Sequence, residues 1–127
     1  MTGQLIANLP WVKQVAGHHT PTAFYLTTEM FDGLPLELAA AELSAIVGAP
    51  VAAEHEHERP EIYVLLSPEP DGAQIDVHIA GEVHHLRAPA ALLVPPHTPH
   101  YFITTRAIPG SWCLGLLLQA EASLVHT

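Results

Sequence analysis

Four side chains in two separated stretches have the chemistry of a metal site. His55 and His57 stand at positions i and i+2, and Glu61 follows after a Pro-containing bend; His100 comes much later in the chain, after a Pro-rich approach. Residues i and i+2 of a strand lie on one face, about 6.6 Å apart, so two imidazoles there can converge on one ion. The hypothesis is one divalent metal ion held by four ligands: His55, His57, Glu61 and His100.

The alternation of residue types around His55 and His57 predicts which side chains point inward and which point outward. As a strand over Val51–Glu58, it places Ala53 and both histidines on one face and three glutamates, Glu54, Glu56 and Glu58, on the other. The alternative is a charged strand face in solvent with no metal. Alternation argues partly against that alternative, because the histidines continue the face that carries Ala53.

Three imidazoles and one carboxylate leave two of six octahedral positions free for water or substrate. Open positions are typical of a catalytic metal, whereas a structural site is closed. The same ligand set suits several divalent ions, so it does not name the metal.

Composition restricts the other classes of function. The chain has 127 residues, a length that suits one domain, and a formal charge of −9 with only four cations, so no basic cluster is available for nucleic acid. No apolar run has the roughly 18 residues that a membrane span needs, and no signal peptide follows Met1, so we expect a cytoplasmic protein. The lone Cys113 excludes an internal disulfide and predicts a buried, inert thiol.

Short β-rich segments separated by Gly, Pro and Asp predict an all-β protein with little helix, an antiparallel sandwich or barrel. Leu36–Val47 also has helical propensity, but its strand-like neighbours favour a strand. We predict an N-terminal arm over 1–22, one barrel domain over 23–118 and a tail over 119–127. The predicted strands are Ala23–Met30, Leu36–Val47, Val51–Glu58, Glu61–Leu66, Ala73–Ile79, Val83–Leu86, Ala91–Val94, Tyr101–Thr105 and Ser111–Leu118.

Further residues are candidates for the wall of a pocket. Alternation from Glu61 turns Tyr63 inward, as a proton donor or as a core aromatic. Phe102 shares the face of His100. Trp112 begins an apolar face of the last strand, with Leu114, Leu116 and Leu118, that suits a substrate pocket or a barrel core.

Two candidates lie close to the ligands in sequence. His97, three residues before His100, is a candidate general acid/base or a residue of the barrel mouth. Arg59 is the cation beside the ligands and would bind an anionic substrate group or pair with Glu58. The pair His18-His19 in the predicted arm is read as solvated.

The two stretches resemble the two motifs of the cupins. The first cupin motif, His-x-His-x3,4-Glu between two glycines, is matched by His55-Glu56-His57-Glu58-Arg59-Pro60-Glu61, with Gly48 before it and Gly72 after it. The second motif, Pro-x-Gly-x2-His, is matched at its Pro and His by Pro95-Pro96-His97-Thr98-Pro99-His100, with His97 in place of the usual Gly. The similarity runs from about Gly48 to Phe102.

This resemblance implies an antiparallel double-stranded β-helix, the jelly-roll or cupin barrel, commonly homodimeric and with the metal inside. It leaves the reaction open. The first expectation is an Fe(II) oxygenase or dioxygenase, with a small organic substrate and O2 at the two open metal positions. The alternatives are a non-redox cyclase, isomerase or lyase that uses zinc, manganese or nickel as a Lewis acid, and a metal-bearing module that binds a small molecule without turnover.

Overall fold

The computed structural model describes residues 3–119, and almost all regular structure in this range is β. A single 3-10 turn at Met30–Asp32 is the only helical element among these residues. The nine strands within 3–119 are β1 (Trp11–Lys13), β2 (Thr22–Leu26), β3 (Leu36–Glu42), β4 (Glu61–Leu66), β5 (Ala73–Ile79), β6 (Glu82–Arg87), β7 (Ala90–Val94), β8 (His100–Ala107) and β9 (Trp112–Leu118). No helix within 3–119 is long and apolar enough to cross a membrane.

Two antiparallel sheets enclose the core. The larger sheet has six strands in the order β1-β2-β3-β9-β4-β7, and the smaller has three in the order β6-β5-β8. Side chains from both sheets meet between them, among them Leu65 of β4, Ile75 of β5 and Cys113 of β9, all of which are buried. The predicted antiparallel, all-β architecture is therefore confirmed.

The smaller sheet follows the alternation that its sequence predicts. In β5, the buried Ala73, Ile75 and Val77 alternate with half-buried polar residues, as in a strand with one face on the core. β5 and β6 are joined by a two-residue turn at Ala80 (φ 49°) and Gly81 (φ 84°). Positive φ at both central residues is the backbone of a tight type I′ hairpin turn, which confirms the predicted hairpin.

The predicted strand over Val51–Glu58 is wrong. This segment forms only isolated bridges to other parts of the chain, and in it Ala52 is buried whereas Ala53 is exposed. Pro50 and Pro60 stand at either end, and neither can donate a backbone hydrogen bond to a ladder. The sorting of the charged residues is nevertheless confirmed: both histidines are half-buried, and the three glutamates are exposed.

Two other predicted strands are shorter in the structure. β3 ends at Glu42 rather than Val47. β2 ends at Leu26 because the chain turns directly after Thr27, where the N–H of Met30 donates to the carbonyl oxygen of Thr27 at 3.1 Å. Within the predicted arm, β1 pairs with β2 and extends the larger sheet. The predicted tail lies outside the described residues beyond Gln119.

The face of β9 that points into the barrel is the opposite of the predicted one. Cys113 belongs to the core, and a Cβ placed on Gly115 would lie 3.1 Å from Oε2 of Glu61. Since neighbours on a strand point to opposite sides, Trp112 and Leu114 lie on the outer side of the larger sheet. The predicted pocket wall is therefore wrong for Leu114, Leu116 and Leu118, because Cys113, Gly115 and Leu117 take the inner positions of β9. Trp112, at the start of the strand, lies at the edge of the cavity.

The turn before β8 adopts the backbone conformation that glycine usually supplies. His97 has φ 58°, a left-handed conformation that costs a non-glycine residue roughly 1–2 kcal/mol. Its N–H donates to the carbonyl oxygen of His57 at 2.7 Å. The histidine therefore keeps the glycine-like turn and its contact with the first stretch.

Replacing this residue by glycine should stabilise the fold slightly. In His97→Gly, the relief of the left-handed backbone outweighs the greater chain entropy of glycine, roughly 0.5–1 kcal/mol, so we expect a gain of about 0.5 kcal/mol in the free energy of unfolding. Chemical unfolding measures it. The exposed Glu56, whose φ is not positive, gives the control: Glu56→Gly should destabilise. If the free energy of unfolding fell equally in both variants, the proposed cost of the left-handed backbone at His97 would be contradicted.

Candidate metal centre

The four predicted ligands come together in the structure. One donor atom from each of His55, His57, Glu61 and His100 lies within 4.8 Å of the other three. Nε2 of His100 is 3.0 Å, and Nε2 of His57 is 3.4 Å, from the same oxygen, Oε1 of Glu61. Donors bound at about 2.1 Å to one ion are separated by roughly 3.0–3.4 Å in octahedral or tetrahedral geometry. The residues present therefore fit a divalent ion.

Backbone hydrogen bonds bring these ligands to one place. His55 and His100 exchange both of their backbone bonds, N–H to carbonyl oxygen, at 3.1 and 2.8 Å. His97 donates to the carbonyl of His57, as described above. Glu61 is the first residue of β4 and His100 the first of β8, so the cluster lies between the two sheets.

Two of the imidazoles are also oriented by the backbone. Nδ1 of His55 is 2.7 Å from the carbonyl oxygen of Ala53, and Nδ1 of His100 is 2.8 Å from that of Thr98. A carbonyl only accepts, so each Nδ1 carries the proton, and Nε2 of each ring is left for the centre. This outer hydrogen bond is the usual support of a metal-ligating histidine.

Electrostatics within the cluster favour an ionised carboxylate. Burial alone would raise the pKa of Glu61, but hydrogen bonds from His100 and His57 outweigh it and lower that pKa to about 2. Burial acts to lower the pKa of His100, yet its hydrogen bond to Glu61 raises it overall. For His55, burial is dominant and lowers the pKa, which favours the neutral imidazole that a metal requires.

Tyr63 lies beside the cluster, two residues after Glu61 on the same face of β4. Its ring is 5.4 Å from that of Phe102 and 6.1 Å from that of His100, centre to centre. Burial, followed by the charge of Glu61, raises the pKa of the Tyr63 hydroxyl well above its usual value. This hydroxyl therefore stays protonated and can only serve as a neutral donor or acceptor.

A cavity of about 690 Å³ opens from the cluster toward β1, β2 and β3. His55, His57 and Glu61 line it, together with Tyr63 and Phe102. Gly115 keeps space free next to Glu61, because a Cβ at this position would approach the carboxylate to 3.1 Å. The volume suits a small organic molecule.

His18 is a site residue that the sequence analysis missed. Its ring centre is 5.6 Å from that of His55, and its Nδ1 is 3.1 Å from the hydroxyl oxygen of Thr22. It lines the cavity, whereas the adjacent His19 is exposed. Burial, followed by the nearby His55, lowers the pKa of His18. The prediction that both histidines of the pair are solvated is therefore wrong for His18.

Backbone pairing explains why His18 reaches the site. The N–H of His19 donates to the carbonyl of Val51 at 2.9 Å, and the N–H of Ala53 donates to that of Gly17 at 2.9 Å. These bonds fasten the N-terminal segment to the loop that carries the first ligands. Such a pairing between distant, irregular segments leaves no periodic signal in the sequence; the doublet of histidines was the one available clue.

Two of the other predicted pocket residues lie away from the cavity, and the third lies at its edge. Arg59 and His97 are not among the residues that line the cavity, and His97 is exposed. Trp112 borders the cavity, but its ring packs edge-on against Tyr25 at 6.5 Å. The cation that lines the cavity is Lys13, whose Nζ is 5.5 Å from the centre of the Phe24 ring and 3.6 Å from Oε1 of Glu29.

The contact between Glu61 and His100 predicts how the stability of the metal-free protein depends on pH. The folded pKa of Glu61 is depressed, so its contribution is present above about 4.5 and is lost as the pH falls toward 2. The folded pKa of His100 is raised above 6.5, so its contribution is full below 6.5 and is lost as the pH rises through the folded value. The pair should therefore stabilise most between these limits.

Unfolding with urea in the presence of a chelator, repeated across this range of pH, measures the effect. Glu61→Gln should weaken the dependence of the free energy of unfolding on pH, by an amount on the order of 1 kcal/mol. Glu54→Gln removes an exposed carboxylate of the same loop and should leave the profile as it is. A Glu61→Gln profile that keeps the wild-type shape would show that the pair is not the cause.

Comparisons with known proteins give likeness in structure and none in sequence. No family model matches the chain, and no curated protein matches it. Among solved structures, an RmlC-like cupin from Shewanella frigidimarina has 15% identity and a TM-score of 0.59, over 91% of this chain and 88% of that one. KdgF from Halomonas sp. has 22% identity and a TM-score of 0.58, over 89% and 91%.

A cupin-like protein from Thermotoga maritima is similar over 93% of this chain and 84% of its own, with 14% identity and a TM-score of 0.61. In all three the likeness extends over most of both chains, well beyond the segment that carries the two motifs. The two antiparallel sheets, with a His/Glu cluster between them, therefore have the cupin fold.

Proposed function

We propose that this protein is a metal-dependent enzyme that acts on a small organic molecule. The observation that carries the proposal is the convergence of three imidazoles and one ionised carboxylate at a cavity of about 690 Å³. The ligands would be His55, His57, Glu61 and His100, which leave metal positions open to the cavity.

The reaction we favour is that of an Fe(II)-type oxygenase, in which the bound ion would supply redox and Lewis-acid chemistry for substrate and O2. The residues around it have separate tasks. Glu61 contributes the negative charge that offsets that of the ion, and Phe102 and Tyr63 keep water from that side of the cavity. The protonated Tyr63 hydroxyl and the ring of His18 are available to hydrogen-bond polar groups of the substrate.

A non-redox lyase, isomerase or cyclase is the second candidate, with zinc, manganese or nickel as the Lewis acid. The observation that favours it is the neutral Tyr63 hydroxyl beside the ligands, which can donate a hydrogen bond to a substrate oxygen that gains negative charge in a Lewis-acid reaction. A module that binds a small molecule without turnover has the same geometry and differs from both enzymes only in yielding no product.

Removal of one ligand should abolish metal retention. His57→Ala and His100→Ala each delete an imidazole whose Nε2 lies within 3.4 Å of the Glu61 carboxylate. We expect the affinity for Co²⁺ or Zn²⁺ in calorimetric titration to fall by more than about 100-fold, beyond the effect of changing an outer hydrogen bond.

His85→Ala is the matched control. The ring of His85 is exposed and pairs with Asp76 in the smaller sheet, away from the cluster. This variant should bind the metal as the wild type does. Wild-type affinity in both ligand variants would refute the proposed ligand set.

Oxygen consumption separates the two enzymatic candidates. Protein loaded anaerobically with Fe²⁺ should consume O2 when the correct substrate is added from a panel of small organic acids, phenols and sugars, and His100→Ala protein should not. Turnover of such a substrate by the zinc-loaded protein without O2 would instead establish the non-redox reaction. Ligand-induced thermal stabilisation with no product under either condition would support the third candidate, a module that binds a small molecule without turnover.

A further inference from the structure

One carboxylate in the cavity has no task in the chemistry proposed above. Glu37, in β3, lines the cavity and is half-buried. The register places it opposite Leu117 of β9, and Leu117 is in turn opposite Glu61 of β4. Residues paired across neighbouring strands point to the same face of a sheet. Glu37 and the ligand Glu61 therefore share the inner face of the larger sheet, in one row with Leu117 between them.

Glu37 differs in its partners from the other carboxylates that line the cavity. Oε1 of Glu61 is 3.0 Å from Nε2 of His100, and Glu42 accepts a hydrogen bond from the backbone N–H of Gly110 at 2.8 Å. Within residues 3–119, no hydrogen bond or ion pair engages the side chain of Glu37. A carboxylate partly removed from water requires a charged or hydrogen-bonding partner, and a bound molecule can supply one.

The charge around Glu37 favours a cationic partner. Among the described residues, the cation that lines the cavity is Lys13. It belongs to β1, two strands away from β3 in the sheet, and its Nζ is 3.6 Å from Oε1 of Glu29. The chain as a whole carries a net charge of −9, which attracts cations and repels anions. An ammonium group would satisfy both the charge and the hydrogen-bonding capacity of this carboxylate.

We propose that Glu37 binds the ammonium group of a small amino-substituted substrate whose other end, an oxygen donor, occupies an open position on the metal. This subsite rests on the proposed function, because it is defined relative to the metal centre, and it names the substrate class. Leu117 lies between the two carboxylates in the row and would contact the methylene chain that joins the two ends of the molecule.

The spacing of the strands sets the length of such a molecule. The Cα atoms of Glu37 and Glu61 are two strand spacings apart, roughly 9.6 Å. Because both are glutamates on the same face, this value also approximates the separation of their carboxylates. A metal–oxygen bond of about 2.1 Å and a hydrogen bond of about 2.9 Å leave roughly 4–6 Å between the oxygen donor and the ammonium nitrogen. An acid of about four carbons with a terminal amino group has this span.

Three four-carbon acids test the proposal on the Co²⁺-loaded protein: 4-aminobutanoate, 4-hydroxybutanoate and butanoate. They share a carboxylate for the metal and differ at the other end, which is an ammonium, a hydroxyl or a methyl group. In calorimetric titration, 4-aminobutanoate should bind about 10-fold more tightly than butanoate, as a hydrogen bond between charged groups provides. The affinity of 4-hydroxybutanoate should be close to that of butanoate, because a neutral donor leaves the charge of Glu37 uncompensated.

The variant Glu37→Gln tests whether this carboxylate is the cause. It keeps the shape of the side chain and removes the charge, so the preference for 4-aminobutanoate over butanoate should fall below about two-fold while the affinity for Co²⁺ is unchanged. Glu54→Gln removes the same charge from an exposed position near the ligands and should keep the wild-type preference. If circular dichroism shows that Glu37→Gln does not fold, the wild-type order of the three acids decides.

Two results would overturn the ammonium subsite alone. One is wild-type protein that binds 4-aminobutanoate no more tightly than the other two acids, whether all three bind or none does. The other is a preference for 4-aminobutanoate that survives Glu37→Gln. Both are measured on protein that binds Co²⁺ and would leave the metal centre standing. A wild-type protein with no affinity for Co²⁺ would instead overturn the proposed function, and the subsite with it.

Discussion

The antiparallel bridge between His55 and His100 is the contact on which the site depends. His55 lies outside any strand, and its loop is held against β8 by the two backbone bonds that it exchanges with His100. Glu61 enters from β4, which belongs to the other sheet. The geometry of the cluster therefore depends on how the two sheets pack, because a shift of either sheet would separate the carboxylate from the imidazoles.

The burial of Glu61 determines which groups of the cluster and its surroundings are ionised. A carboxylate inside a barrel is costly unless charged or hydrogen-bonding partners surround it, and here His57 and His100 are those partners. The same burial and the same negative charge raise the pKa of Tyr63 and bring that of Cys113 to about 12. The ionised Glu61 therefore lies next to a neutral phenol and a neutral thiol on its own and the adjoining strand, and a divalent cation would offset its charge.

The sequence predicted those features that depend on local pattern. The two motifs predicted the cluster, because ligands that are near in sequence leave a spacing that can be recognised, and the alternation of β4 and β5 predicted which side chains are buried. Features set by distant pairing were missed. His18 reaches the cavity only through the pairing of Gly17–His19 with Val51–Ala53. The inward face of β9 was reversed, because Cys113, Gly115 and Leu117 line the cavity and Leu117 is the register partner of Glu61. The departure at His97 changed little, since histidine adopts the same left-handed turn.

The measurement that tests the central claim most directly is anomalous diffraction at the absorption edge of the metal bound by the purified protein. One peak is predicted, between β4 and β8, within about 2.1–2.3 Å of Nε2 of His55, His57 and His100 and of a carboxylate oxygen of Glu61. A peak bound by other residues, or none after incubation with Fe²⁺, Mn²⁺, Zn²⁺ and Ni²⁺ in turn, would contradict it. In that case the contact between Glu61 and His100 would be a buried ion pair and not part of a metal centre.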